Sequence, residues 1–263
     1  MKTVHYREAQ NLFNESVRKA SASHAEKEFP KESVGLVVNQ KYIPIKNSSK
    51  DPENHFRVHP RSLAKYHGSI QAVIHSHNIT VDPKTRMSKH SRWPSKLDQE
   101  TQIAWDIPFG IQYVTNEGAG NILWWGNQIP IAHYEGRPYI FGVYDCFSII
   151  TDYYRGELNI DLPNFPREDE FWKNNENLYL DNIRAYGFEQ VSELQKYDVI
   201  LLTIRSSVPN HAILYLGGDQ GLHHLNTNLS SIESINRFID PQKSLFHSIW
   251  RHKTYAKENH SPR

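Results

Sequence analysis

The chain has 263 residues, enough for two domains of ordinary size, with 22% charged residues and a formal net charge of +1. That balance argues against nucleic-acid binding through a general basic surface, and one cysteine permits no internal disulfide. The opening Met1-Lys2-Thr3-Val4-His5-Tyr6-Arg7-Glu8 lacks the apolar core of a signal peptide and no apolar run reaches membrane-spanning length, so the expectation is a protein made soluble.

Residues 3–27 carry Val4, Leu12, Phe13 and Val17 near helical spacing, which predicts one amphipathic helix. Val34 to Val38 and Tyr42 to Ile45 read as paired strands around Asn39-Gln40. A short helix is expected over His59 to Tyr66, with Pro60 in its first turn. Ile70 to Ile74 is a buried strand running into His75-Ser76-His77, and a polar surface loop covers 78–93. Ser95 to Trp105 predicts a helix, followed by strands near 111–115 and 121–125. The segment 127–140, with Pro130, Gly136 and Pro138, is the best linker, dividing a domain over 1–126 from one over 141–263. In the second part the pattern gives a helix from Cys146, an acidic helical stretch around 167–185, strands at 198–204 and 211–216, and an apolar return through Phe246 and Trp250. The polar tail from Lys253 onward is expected to fray.

Two constellations carry chemistry. In the first, His75 and His77 stand two apart at a strand end, so both imidazoles point to one face and can hold a zinc ion. Ser95 and Asp98 stand three apart on the following helix, hence on one side of it. Asp98 would be a third ligand, leaving a fourth position for water as in hydrolytic zinc sites. Glu32, at the edge of the first strand, could take the proton from metal-bound water and pass it to the leaving amine, and Ser95 could donate to an oxyanion. The plainer reading of Ser95 and Asp98 is a helix N-terminal cap. The order of Glu32, His75-x-His77 and Ser95 with Asp98 three later resembles the JAMM metallopeptidases over residues 5–125. Asn78 stands where that family usually has proline, and the loop before the serine is longer here.

The second constellation centres on the lone thiol. Asp145 reads as the cap of a helix with Cys146 in its first turn, where the amides and the helix dipole favour a thiolate and predict a lowered pKa. His211 opens an apolar strand 65 residues later, and His223 follows by twelve. A nucleophile, a base and a group to orient the base are thus available. A hairpin turn centred on Gly217 would set His211 opposite His223, and a turn half a residue later would select His224. Tyr144-Asp145-Cys146, the strand from His211 through Tyr215-Leu216-Gly217, and Leu222-His223 resemble the NlpC-type cysteine peptidases from about Tyr139 to Trp250. That resemblance implies Cys146 as nucleophile, His211 as base, His223 as orienting group, and Tyr139 as an assisting tyrosine.

Both resemblances together imply an α+β protein of two domains: a JAMM-like α/β/α metallopeptidase fold, then a papain-like NlpC-type fold. The combination is similar to tail-tip assembly proteins of lambda-like phages. It implies a peptidase of the tail tip, with Zn2+ as cofactor, other tail-tip proteins and the tape-measure protein as partners, and a peptidoglycan stem peptide as substrate. It would be made in the host cytoplasm and act from the virion tail tip in the host envelope. A tail maturation protease and a structural tip protein with relic sites are the competing readings.

Overall fold

The computed structural model describes residues 2–79, 92–239 and 245–256. It is an α+β chain of two compact units, one spanning Val4–Pro130 and the other joining Met1–Thr3 to Ile131–Arg263. Residues 131–140 of the expected linker are packed into the second unit: Arg137 has no exposed surface, and its guanidinium meets Asp152 at 2.6 Å.

The first unit begins with two helices where one was expected, α1 (Tyr6–Ala9) and α2 (Glu15–Glu28). Asn14 makes the break, because its side chain accepts from the Val17 N–H and so starts a new helix. Five strands follow in the sheet order β2-β1-β3-β4-β5: β1 (Val34–Val38), β2 (Lys41–Ile45), β3 (Ile70–Asn78), β4 (Phe109–Thr115) and β5 (Gly118–Trp125). Asn39 and Gln40 join β1 to β2 with φ of 50° and 59°, the two left-handed residues that a tight hairpin requires. The pairings are antiparallel except β3 with β4, which run parallel and are connected through α4 (Lys96–Trp105). A parallel pair needs such a crossover. The short helix α3 (Pro60–Ala64) is capped by His59.

Alternation along β1 and β3 sorts the sheet into two faces. Val37, Ala72 and Ile74 pack with Val17 of α2 and with Trp124 in one core cluster. Leu36 and Val73 face the other way, where with Leu63 of α3, Trp105 of α4 and Phe109 they line a cavity of about 330 Å³. His75 and His77 share the parity of Val73, so the sheet aims both toward that side. Polar residues 80–91 of the expected loop lie outside the described residues.

The second unit has a six-stranded sheet in the order β10-β9-β8-β7-β11-β6. Its strands are β6 (Phe188–Val191), β7 (Val199–Leu202), β8 (His211–Gly217), β9 (Gln220–His223), β10 (Ser231–Ser234) and β11 (Phe246–His252). The helix α5 (Cys146–Glu157) buries Phe147, Ile149, Ile150 and Tyr154 in the main core cluster with Leu201, Ala212 and Leu214. The acidic stretch forms a short 3-10 turn over Phe171–Asn174 and α6 (Leu178–Ile183) rather than one long helix. Small helices α7 (Asn236–Ile239) and α8 (Lys253–Ala256) complete the unit, so the expected fraying does not begin at Lys253; residues 257–263 lie outside the described residues. No described helix is long and apolar enough to cross a membrane.

Candidate functional site

Each unit gathers reactive side chains in a cavity of its own. In the first, His75 Nε2 and His77 Nε2 lie 3.1 Å apart at the end of β3. Asp98 completes a triangle, with Oδ1 3.3 Å from His75 and Oδ2 3.5 Å from His77. The longer loop before α4 therefore does not keep Asp98 away. All three residues are buried, and their donor atoms are close enough together to share one ion. A tetrahedral ion with bonds of about 2.0–2.2 Å to nitrogen and oxygen needs ligand atoms roughly 3.3–3.6 Å apart, close to the edges found here.

The same carboxylate caps α4. Asp98 Oδ2 accepts from the Ser95 N–H at 2.9 Å and the Ser95 hydroxyl at 2.7 Å, while the Asp98 N–H donates to Ser95 Oγ. The cap reading and the site reading thus describe one set of atoms. In this state the Ser95 proton is spent on Asp98, and serving an oxyanion would require the hydroxyl to turn. Burial works to raise the Asp98 pKa, but His75 and His77 outweigh it and hold the carboxyl well below the carboxylate range. Burial lowers His75, with Asp98 opposing, which favours the neutral imidazole a metal needs. His75 packs on the Phe56 ring, and its Nδ1 has no hydrogen-bond partner among the described residues. Asn78, in place of the usual proline, donates from Nδ2 to the Pro30 carbonyl and ties β3 to the approach to Glu32. Glu32 lines the cavity with His77 and Asp98, and burial pushes its carboxyl up to about 8, so it holds its proton at neutral pH.

In the second unit, Asp145 fixes the start of α5. Its Oδ1 accepts from the Phe147 and Ser148 amides, and Oδ2 takes the Gly142 amide and the buried Arg167 guanidinium at 2.5 Å. Arg167 is sandwiched among Phe141, Phe147 and Phe165, and its charge is balanced there by Asp145. Cys146 then projects into a cavity of about 480 Å³ shared with Tyr139, Arg167, Tyr179, His211 and His224. Its sulfur lies 3.1 Å from the Tyr179 hydroxyl and takes the Ala212 amide at the start of β8.

The expected depression of the thiol pKa is not found. Burial pushes Cys146 up to about 11, and the Asp145 carboxylate adds to it; Tyr179, the Ala212 amide and Arg167 pull the other way without prevailing. Capping consumes the amides that were expected to favour a thiolate. His211 is driven down to about 3, first by burial and then by its histidine neighbours. The resting pair is a neutral thiol and a neutral imidazole.

His211 Nε2 meets His223 Nδ1 at 3.2 Å, with the rings edge to face. The expected direct opposition of these strand positions is wrong, however. Gly218 and Asp219, with φ of 59° and 76°, form the turn, and a bulge between Tyr215 and Gly217 shifts the register so that Leu214 faces Leu222. His211 and His223 are therefore diagonal neighbours on one face, within reach for long side chains. A Cβ on Gly221 would come within 2.5 Å of Ile213 and Ile235, so a bare backbone lets the strand carrying His223 sit this close. His224 lines the Cys146 cavity without bonding His211: its ring meets Tyr139 edge-on, and Nε2 lies 3.2 Å from the Asn228 carbonyl. Tyr179 and Arg167 escaped the sequence reading because the stretch 167–185, read only as helical, carries no motif that marks either as part of a site.

Residues 136–257 match the NlpC/P60 family. Tail tip assembly protein K of Escherichia phage lambda is 36% identical over 194 residues, covering 73% of this chain and 86% of that protein. The protein of the same name from Escherichia phage N15 is 29% identical over 220 residues, covering 80% of this chain and 85% of its own. Among solved structures, the NlpC/p60 domain of the peptidoglycan hydrolase SagA overlaps 45% of this chain and 89% of its own at 17% identity and a TM-score of 0.32, too slight a likeness to argue from.

Proposed function

Since the chain belongs to the tail tip assembly protein K family and carries an NlpC/P60 domain in its C-terminal region, we propose that it is a phage tail-tip component whose thiol centre hydrolyses peptide bonds of host peptidoglycan. The observation that carries this reading is the shared cavity of Cys146 and His211, with His223 bonded behind His211, all inside the NlpC/P60 segment. His211 takes the thiol proton as Cys146 Sγ attacks the amide carbon, and the leaving amine receives that proton as the C–N bond breaks. Water then releases the acyl group from sulfur, with His211 as the base. The Tyr179 hydroxyl and the Ala212 amide stabilise the sulfur as its negative charge develops. In this role the protein works at the virion tail tip, against the host envelope, beside other tip proteins and the tape-measure protein.

Incubating the purified chain with cell-wall sacculi tests this. Soluble muropeptides should appear with the wild type and vanish with Cys146→Ala. Cleavage of a tail protein without any muropeptide release would replace wall hydrolysis by tail maturation.

A second reading concerns the first unit, and the triangle of His75, His77 and Asp98 favours it. We propose that these residues hold Zn2+ in a JAMM-type metallopeptidase centre. Bound there, zinc supplies Lewis-acid polarisation of a substrate carbonyl. His75 and His77 keep Asp98 ionised, its bonds from Ser95 aim it, and Glu32 holds a proton in the same cavity for a leaving amine. Zinc content should fall from about one ion per chain to near none in His75→Ala. Chelation should also lower the unfolding temperature of the wild type and leave that of the variant unchanged. Equal zinc content in the two chains would remove this reading.

A further inference from the structure

His223 has a second ring nitrogen that the contact with His211 does not use. The residue is 1% exposed, its Nδ1 faces His211, and its Nε2 has no hydrogen-bond partner among the described residues. Tautomer logic fixes which nitrogens carry hydrogen. For His211 to accept the Cys146 proton, its free lone pair must be on Nδ1, because Nε2 is turned to His223. Neutral His211 then carries its hydrogen on Nε2 and donates it to His223 Nδ1, which leaves the His223 hydrogen on Nε2. A buried N–H without an acceptor is costly.

The sheet brings a carboxylate to that point. Ser231 of β10 pairs with His223 of β9, so Glu233, two residues on, lies on the same face as a diagonal neighbour. Glu233 Oε1 is 3.8 Å from His223 Nε2, just beyond hydrogen-bond length. The carboxylate is held from two other sides, by the Ser231 hydroxyl on Oε1 at 2.8 Å and by Arg237 on Oε2 at 2.7 Å. Arg237 therefore pairs with Oε2 and leaves Oε1 turned toward the histidine. Among the described residues, the ionisable groups that face His223 are His211 from β8, Glu233 from β10 and Arg237 from the start of α7, and the Phe238 ring packs against it at 5.0 Å.

We propose that Glu233 is a positioning residue of the thiol centre, accepting the His223 Nε2–H as His211 takes the Cys146 proton, so that one chain runs from Cys146 on α5 through His211, His223 and Glu233 on three adjacent strands. This rests on the reading of Cys146 and His211 as nucleophile and base. A single proton moves, from Sγ to His211 Nδ1; the hydrogens on His211 Nε2 and His223 Nε2 stay where they are. The imidazolium so formed is buried, and an anion two rings away stabilises it. Burial lowers the His223 pKa and Glu233 opposes that shift, consistent with an acceptor on this side.

Cys146 is the sole cysteine, so its alkylation by iodoacetamide reports the thiolate without any substrate. Measured against pH on the full chain, the rate midpoint should rise by about one unit in Glu233→Gln, a roughly tenfold loss of reactivity below the midpoint. Glu233→Ala should show at least that shift. Neither substitution should shift the midpoint further in a His223→Ala background, because the effect passes through that ring. Unchanged midpoints in both Glu233 variants, with thermal unfolding showing intact folds, would overturn the proposal. If His211→Ala leaves the wild-type profile unaltered, His211 is not the base, and the reading beneath the proposal fails with it. Muropeptide release then separates a positioning role from a binding one: kcat should fall in Glu233→Gln with KM unchanged.

Discussion

The two centres solve opposite electrostatic problems. Around His75, His77 and Asp98 the protein buries a carboxylate, satisfies one of its oxygens with Ser95, and leaves the anion facing two imidazoles, with burial disfavouring the charged form of His75. The zinc ion proposed above would complete that arrangement. Around Cys146 the buried carboxylate of Asp145 is already neutralised by Arg167 and by three amides, and the reactive pair itself is uncharged. That arrangement is complete at rest and becomes charged only when a proton moves. A buried acid beside a reactive group can thus be either the binding element or the scaffold, and its partners decide which.

The sharpest way to break this contrast is to take Arg167 away. Arg167→Ala would leave Asp145 as an uncompensated buried charge beside the thiol and should destabilise the second unit by about 3–5 kcal/mol. Denaturant unfolding checks it. A loss below about 1 kcal/mol would mean that Asp145 is not the charged anchor described here.

Legibility in the sequence followed distance along the chain. The first centre rests on two local spacings, His75 with His77 and Ser95 with Asp98, and those intervals alone put the side chains on common faces. The hairpin at Asn39-Gln40 was legible for the same reason. In the second unit the starts of α5 and β8 could be read, but the relation of His211 to His223 passed through a turn and a bulge that no pattern announced. Tyr179, Arg167 and Glu233 are brought in by tertiary packing, so nothing local marked them. The thiol pKa was misjudged because the helix start was visible in the sequence while the depth of burial and the consumption of its amides were not.

Acid titration sharpens the contrast more gently. The His211 pKa falls from 6.5 to about 3 on folding, so the folded state is favoured fully above pH 6.5 and loses that advantage as pH drops toward 3. The expected slope from this residue is about 1.4 kcal/mol per pH unit within that window, with His224, lowered to about 4, acting in the same direction. Unfolding free energies at pH 7, 6 and 5 should therefore decline, and His211→Gln should flatten the decline. A curve equally steep in that variant would place the acid sensitivity elsewhere.

The smallest effect belongs to Tyr179. Tyr179→Phe removes one hydroxyl contact to sulfur and should slow alkylation of Cys146 at neutral pH several-fold, about 1 kcal/mol, with the fold intact. A rate equal to wild type would make the tyrosine a packing residue only.

The most direct test of the account is to quench the protein during turnover of a muropeptide and weigh the intact chain. An acyl adduct on Cys146, absent from Cys146→Ala and accumulating when water attack is slowed in His223→Ala, is the predicted result. Peptide-bond cleavage that continues in Cys146→Ala, with no adduct on the wild-type sulfur, would contradict it.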